Sequence, residues 1–358
     1  MQTSKLRDTT TVGLLNASSI RSLSNSAIYS AIGQLSPDGQ VLAVLNDVDP
    51  LRTPRLRQVR DFSRCDVLVA VDDDTHHDLE SPRIAGARDD SLQRMASRPE
   101  RTFAFGHSLP DALQGAAFEG VTDVLRALSG VVVRDRRSAR RLIEAGVSAE
   151  LGYDPAFVLQ PSLAFVAAAG LAYARAGLVA EQTALIAVRL DRDDGLRAAS
   201  LAARVASLME VLRARGHQPA FLIQTDLGPD RGDRAIASRV AALLPKFAVI
   251  DGFEPAGGVI GWPLLSGLLA RARLVVAGRY HTAVLRLCAG RQPFILHDAP
   301  NIKDLAERLD LPHAAASSFD PEAIILQLET TAEAVFNPEP LRRDVQKRFR
   351  ACVAKASA

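Results

Sequence analysis

At 358 residues the chain is long for one hydrophobic core, and two domains are expected. With 43 basic and 41 acidic residues the net charge is +2, which removes any whole-molecule electrostatic case for nucleic acid or a membrane. A hydrophobic share of 47% beside 23% charged residues is the balance of a soluble globular protein. Cys65, Cys288 and Cys352 fall in no metal-ligand spacing and suit a reducing compartment. The polar stretch 1–11 lacks the apolar segment of a signal peptide, and the most apolar window, 163–174, is too short to span a bilayer before Arg175. A cytoplasmic protein is therefore expected, with peripheral membrane association left open.

Along the chain, short apolar runs at 12–15, 41–45, 67–71, 102–105 and 131–133 predict strands, and 24–33, 120–128 and 137–145 predict helices. A second series follows residue 180. Strands are predicted at 184–188, 219–224, 248–250, 274–277 and 293–296, and helices at 198–215, 236–244, 264–271 and 282–289. Gly216, after a helix ending in arginines, reads as a C-cap. Such β–α alternation predicts an α/β protein: two Rossmann-like, doubly wound domains facing a cleft. The expected bounds are an N-terminal domain over 1–165, an alanine-rich join over 166–182, a C-terminal domain over 183–335 and a basic, amphipathic final helix over 336–358.

The densest chemistry lies where the strand Leu274-Val275-Val276-Ala277 runs into Gly278-Arg279-Tyr280-His281. A strand's carboxyl end and a helix's amino end gather backbone N–H groups that attract anions. Arg279 adds a permanent charge and His281 a group that moves protons near neutral pH, which suits acid–base work on an acidic substrate.

Three segments in order resemble the polysaccharide pyruvyl transferase family. They are Val131-Val132-Val133-Arg134-Asp135-Arg136-Arg137-Ser138, then Tyr153-Asp154-Pro155-Ala156-Phe157-Val158-Leu159, then Gly278-Arg279-Tyr280-His281 followed by Gly290-Arg291-Gln292-Pro293 and Lys303. Phe105-Gly106-His107-Ser108 and Ala187-Val188-Arg189 add to the match, which runs from about residue 100 to 310. The resemblance implies two Rossmann-like domains in the B-type glycosyltransferase arrangement. It also implies transfer of a pyruvyl group from phosphoenolpyruvate to a saccharide, or a lipid-linked saccharide, of a cell-surface polysaccharide, forming a ketal. His281 would be the catalytic acid/base beside Arg279. Arg134, Arg189 and Lys303 would hold the donor's phosphate and carboxylate, for which arginine's bidentate fork is suited. No cofactor, metal or nucleic acid is required.

The N-terminal half departs from the family pattern. A glycine-rich loop with Gly-Asp is replaced by a segment with Asn16, Ser24 and Asn25, and Asn25 stands where the aspartate is expected. A Gly-Gly turn is replaced by Asp72-Asp73-Asp74-Thr75-His76-His77-Asp78, which could ligate a divalent cation, bind sugar hydroxyls or form a solvated loop. Asn16, Asn25, Asp73, His76 and His107 are thus acceptor or loop candidates. Arg134-Asp135 can equally be a strand-end ion pair with Asp135 as N-cap, Asp154-Pro155 reads as a turn, and Trp262 can stack on a sugar or pack at a hinge. Two other functions fit the same sequence: a B-type glycosyltransferase using a nucleotide sugar, and a non-catalytic saccharide-binding relative.

Overall fold

The computed structural model describes residues 11–15, 22–36, 41–44, 56–59, 61–71, 82–189, 195–225 and 232–358. In chain order the first elements are β1 (Val12–Leu15), α1 (Leu23–Leu35), β2 (Val41–Val44), β3 (Leu56–Val59), β4 (Val67–Val71), α2 (Pro82–Ser97), β5 (Thr102–His107), α3 (Gly115–Ala127), β6 (Gly130–Val133), α4 (Arg136–Glu144) and β7 (Ala149–Leu151). The second series is α5 (Leu163–Arg175), β8 (Thr183–Ala187), α6 (Gly195–Ala214), β9 (Gln218–Ile223), α7 (Gly232–Leu243), β10 (Ala248–Asp251), α8 (Trp262–Arg271) and β11 (Leu274–Ala277). It continues through α9 (Tyr280–Cys288), β12 (Phe294–His297), α10 (Pro300–Arg308), β13 (His313–Ala315), α11 (Pro321–Thr331) and α12 (Glu339–Ala356).

The chain divides into two compact units, Met1–Ser19 with Ile28–Val158 and Glu339–Ala358, and Ile20–Ala27 with Leu159–Pro338. The first holds a seven-stranded sheet in the order β3-β2-β1-β4-β5-β6-β7; the second holds six strands in the order β10-β9-β8-β11-β12-β13. Every named strand pair is parallel. Helices on both faces demand strands buried on both faces, and β4, β5, β8 and β11 are buried at every residue. These are the runs that the sequence makes legible as strands. β3, β7 and β13 were not predicted. Each has three or four residues and lies at a sheet edge, where one neighbour suffices and no apolar run is needed.

In the first unit Leu15, Leu68, Ala70, Ala104, Val131 and Val133 join one core with Met95, Leu125 and Leu142 of α2, α3 and α4. Phe103 and Phe105 meet Phe349 of α12 edge-to-face instead, at 5.5 and 5.3 Å between ring centroids. The last helix therefore packs back on the first sheet, about 200 residues after that sheet's last strand ends. At the start of α4, Asp135 has the extended backbone of an N-cap and accepts from the Ser138 N–H at 2.8 Å. Gly216 has φ 84°, and its N–H and that of His217 bond back to Arg213 and Leu212 at 3.0 Å each, as its C-cap reading requires.

The alanine-rich stretch expected as a join lies inside the second unit. α5 packs on α8, where Tyr173 donates to the Leu268 carbonyl at 2.7 Å and a Cβ on Gly267 would strike the Phe165 carbonyl. Its alanines are what allow two helices to approach this closely, so they mark packing rather than a linker. Trp262 packs edge-to-face on Phe165 at 5.5 Å and is buried, so its ring serves this helix pair rather than a sugar. The three cysteines are free and buried. Among the described residues no helix is long and apolar enough to cross a membrane.

Candidate functional site

The second sheet builds outward from β8 to β9 and β10, then returns to β11 on the other side of β8. At such a reversal the loops after the two central strands diverge, and a crevice opens at their carboxyl ends. Ala277 lies beside Ala187 there. The Gly278 N–H donates to the Ala187 carbonyl at 2.6 Å. A Cβ at Gly278 would lie 2.9 Å from the Val188 Cα and 3.0 Å from the Ala187 oxygen, so only glycine lets the chain turn against this backbone. Arg279 is the N-cap of α9 with extended backbone, Tyr280 and His281 follow in the first turn, and all three are buried.

The Arg279 side chain makes no capping bond to its own helix. Its Nη2 donates to Asp233, a fully buried carboxylate in the first turn of α7. The other oxygen of Asp233 accepts the backbone N–H groups of Gln224 and Thr225 at 2.8 and 3.0 Å, where β9 ends. The Thr282 hydroxyl, on the first turn of α9, donates to Gln224 Oε1 at 3.0 Å. On the other side, the Leu23 N–H donates to the Gln224 carbonyl at 3.1 Å, and Ser22 pairs with Thr225 in an antiparallel bridge. The amino ends of α1, α7 and α9 are thereby tied to one point, the end of β9. Within this junction the Asp233 carboxylate takes one guanidinium and two backbone N–H groups, and His281 follows two residues after that guanidinium.

Of the sequence candidates, Arg189 lies two residues past β8 and is half-buried, and Lys303 lies on α10 after β12. Because β8, β11 and β12 are parallel neighbours, Arg189, Arg279, His281 and Lys303 share the carboxyl edge of one sheet. Lys303 is half exposed and pairs with Glu307 at 3.7 Å. Asn25, in the α1 segment that belongs to the second unit, is buried, and its Nδ2 has no hydrogen-bond partner among the described residues.

His297 ends β12, with its ring 5.4 Å from that of His313. Burial first, then the neighbouring His313 and Lys303, push its pKa below the usual imidazole value. A group held neutral in the fold but free to charge when unfolded binds more protons in the unfolded state. Its stabilising share is present above about pH 6.5 and is lost as pH falls. Stability measured by urea unfolding should therefore drop from pH 7 to pH 5, and His297→Gln should flatten that slope. An unchanged slope in the variant would refute this assignment.

The remaining candidates lie in the first unit. Arg134 donates from Nε to Ser108 at 2.8 Å and from Nη1 to Asp154 at 2.8 Å, with both charged partners buried. Asp154 also accepts the Ala156 N–H at 2.8 Å, so this pair fixes the turn before Pro155. His107 donates its Nε2 proton to the Ala70 carbonyl at 3.0 Å. It follows Gly106, whose φ is 76° and where an added Cβ would lie 2.5 Å from Pro155 Cδ, beside a bulge in β5. Asn16, Asp73 and His76, with the acidic cluster 72–78, lie outside the described residues. β1 and β4, the strands that precede these residues in the chain, are the neighbours flanking the order reversal of the first sheet. Among the described residues no cluster of histidine, cysteine and carboxylates could hold a metal ion.

Asp233, Gln224 and Thr282 were not singled out in the sequence. An aspartate in a helix's first turn is an ordinary capping signal, and nothing local marks its partner 46 residues away.

A sequence model of the polysaccharide pyruvyl transferase family matches residues 84–296. That span holds His107, Arg134, Arg189, Gln224, Asp233, Arg279 and His281 and stops before Lys303. Curated proteins give no sequence match. Among solved structures, a UDP-N-acetylglucosamine 2-epimerase described as putative, from Listeria monocytogenes, superposes with a TM-score of 0.61 at 10% identity, covering 96% of this chain and 95% of that one. The UDP-GlcNAc 2-epimerase of Methanocaldococcus jannaschii gives 0.59 at 11%, covering 96% and 99%. Anabaena HepE, in complex with UDP and glucose, gives 0.55 at 12%, covering 97% of each chain. At such identities the likeness is one of fold, B-type glycosyltransferase-like, with two parallel sheets and alternating helices.

Proposed function

Because the chain belongs to the polysaccharide pyruvyl transferase family, we propose that it moves a pyruvyl group from phosphoenolpyruvate onto two hydroxyls of a saccharide, free or lipid-linked, releasing phosphate and leaving a cyclic ketal. The observation that carries this reading is the Gly278–Arg279–Tyr280–His281 turn at the order reversal of the second sheet, where three helix amino ends meet. Phosphoenolpyruvate is a small frame bearing a carboxylate and a phosphate, and this edge supplies Arg189, Arg279 and Lys303. His281 delivers a proton to the methylene carbon, which turns the donor's central carbon into an oxocarbenium-like centre. A sugar hydroxyl adds there and its proton returns to His281. The second hydroxyl then displaces phosphate, which leaves with that hydroxyl's proton. Hydrogen bonds held in place before reaction do the electrostatic work.

The test is phosphate release from phosphoenolpyruvate across a panel of saccharide acceptors, with the ketal methyl followed by NMR. Release that depends on acceptor, with one new methyl signal per phosphate, is the expected result. No release with any acceptor, together with thermal stabilisation by UDP-sugars but not by phosphoenolpyruvate, would replace this reading with a nucleotide-sugar transferase.

A further inference from the structure

Resting on that reading, we propose that Gln224 is a substrate-binding residue which, with Arg279, holds the donor's carboxylate. Two observations carry the proposal. The side-chain nitrogen of Gln224 and the Nε of Arg279 are buried donors with no hydrogen-bond partner among the described residues. A buried N–H left without an acceptor is costly, so two of them on residues anchored to the same carboxylate call for a ligand oxygen. Both residues are anchored on the same group: the Gln224 backbone N–H and the Arg279 Nη2 bond to opposite oxygens of Asp233. They are therefore held within the span of one carboxylate of each other's anchor, and neither side chain is left to swing.

The Thr282 hydroxyl occupies Gln224 Oε1, which fixes the amide so that its NH2 is the end left for a ligand. Thr282 acts through Gln224 and is a positioning residue.

Charge selects the ligand class. The positive charge of Arg279 is balanced by the fully buried Asp233, so this corner presents N–H donors with little excess charge. A carboxylate, with one negative charge and two oxygens, is matched by two N–H donors and the amino end of α9. A phosphate dianion needs more cation, and falls to Arg189 and Lys303 elsewhere on the same edge.

The experiment compares wild type with Gln224→Glu, Gln224→Met and Thr282→Val, using pyruvate and inorganic phosphate as separate probes in calorimetric titrations. Gln224→Glu keeps the acceptor for Thr282 and removes the donor; Gln224→Met removes both and serves if the glutamate variant folds poorly. Expected are a pyruvate Kd raised about 10- to 100-fold in both Gln224 variants, a smaller rise in Thr282→Val, and a phosphate Kd within about twofold of wild type. In turnover, KM for phosphoenolpyruvate should rise by a similar factor while kcat changes by less than about threefold. The proposal is overturned if wild type does not bind pyruvate, if the Gln224 variants bind it as wild type does, or if pyruvate and phosphate affinities fall in parallel. Pyruvate binding lost on substitution in a protein that never turns over phosphoenolpyruvate would keep the carboxylate site and sink the transfer reading. Normal turnover with an unmoved KM would do the reverse.

Discussion

His281→Ala should lower kcat for phosphate release from phosphoenolpyruvate by about 100- to 10,000-fold, the range for loss of a positioned acid–base group. The site's architecture predicts that this loss is chemical rather than structural. Gly278 seats the turn on Ala187, Arg279 ties it to Asp233, and Thr282 ties it to Gln224. None of those links passes through the His281 side chain. The imidazole sits in the first turn of α9, buried, with its ring 5.6 Å from that of Tyr280. Truncating it should cost about 1–3 kcal/mol of stability, as for an ordinary buried side chain, and leave the donor-binding network standing. KM for phosphoenolpyruvate should then change little while kcat collapses. A second readout isolates the proton step: in heavy water, wild type should place deuterium in the ketal methyl, and His281→Ala should slow that labelling in step with kcat. Retention of kcat within about threefold in a folded His281→Ala protein would show that another group delivers the proton.

How much of this was legible in the sequence follows from the range over which each signal acts. A doubly buried parallel strand announces itself locally, so β8, β9 and β11 and the glycine turn after β11 could be read from consecutive residues. Gly278 was readable as a turn; that it must clear Val188 and Ala187 was not. Arg279 and His281 stand out because they are polar groups at a strand-to-helix junction. Their partners do not. Asp233 looks like any first-turn aspartate, and Gln224 like the polar end of a strand. Leu23, whose backbone closes the far side of the network, sits about 200 residues earlier in a segment that departs from the family pattern. The role of Arg134 was open in the sequence for a similar reason. A strand-end arginine gives no sign in the sequence that it bonds to Ser108 and Asp154, as Arg134 does. Periodicity reports which face is buried and is silent on which buried polar group meets which.

The Arg279–Asp233 pair should dominate the stability of the second unit's site, and this changes what an arginine substitution can reveal. Arg279 is 9% exposed and Asp233 fully buried. Arg279→Ala strands a carboxylate with only two backbone N–H donors, which should cost about 3–5 kcal/mol; Asp233→Ala strands the guanidinium at similar cost. The double variant removes both charges and should lose clearly less than the sum, with a coupling of about 1–3 kcal/mol in urea unfolding. Single losses that add to within about 0.5 kcal/mol would show that the two groups do not interact, and would remove the anchor on which the carboxylate assignment rests. Activity separates the roles further. The double variant, though more stable than the additive expectation, should still bind pyruvate poorly, because the Nε donor of Arg279 is gone. Arg279→Lys keeps the charge opposite Asp233 but has no Nε and no fork, so it should retain most of the stability and lose donor affinity. A lysine variant that binds pyruvate as wild type does would mean that Arg279 serves the fold alone, with Asp233 as its whole purpose.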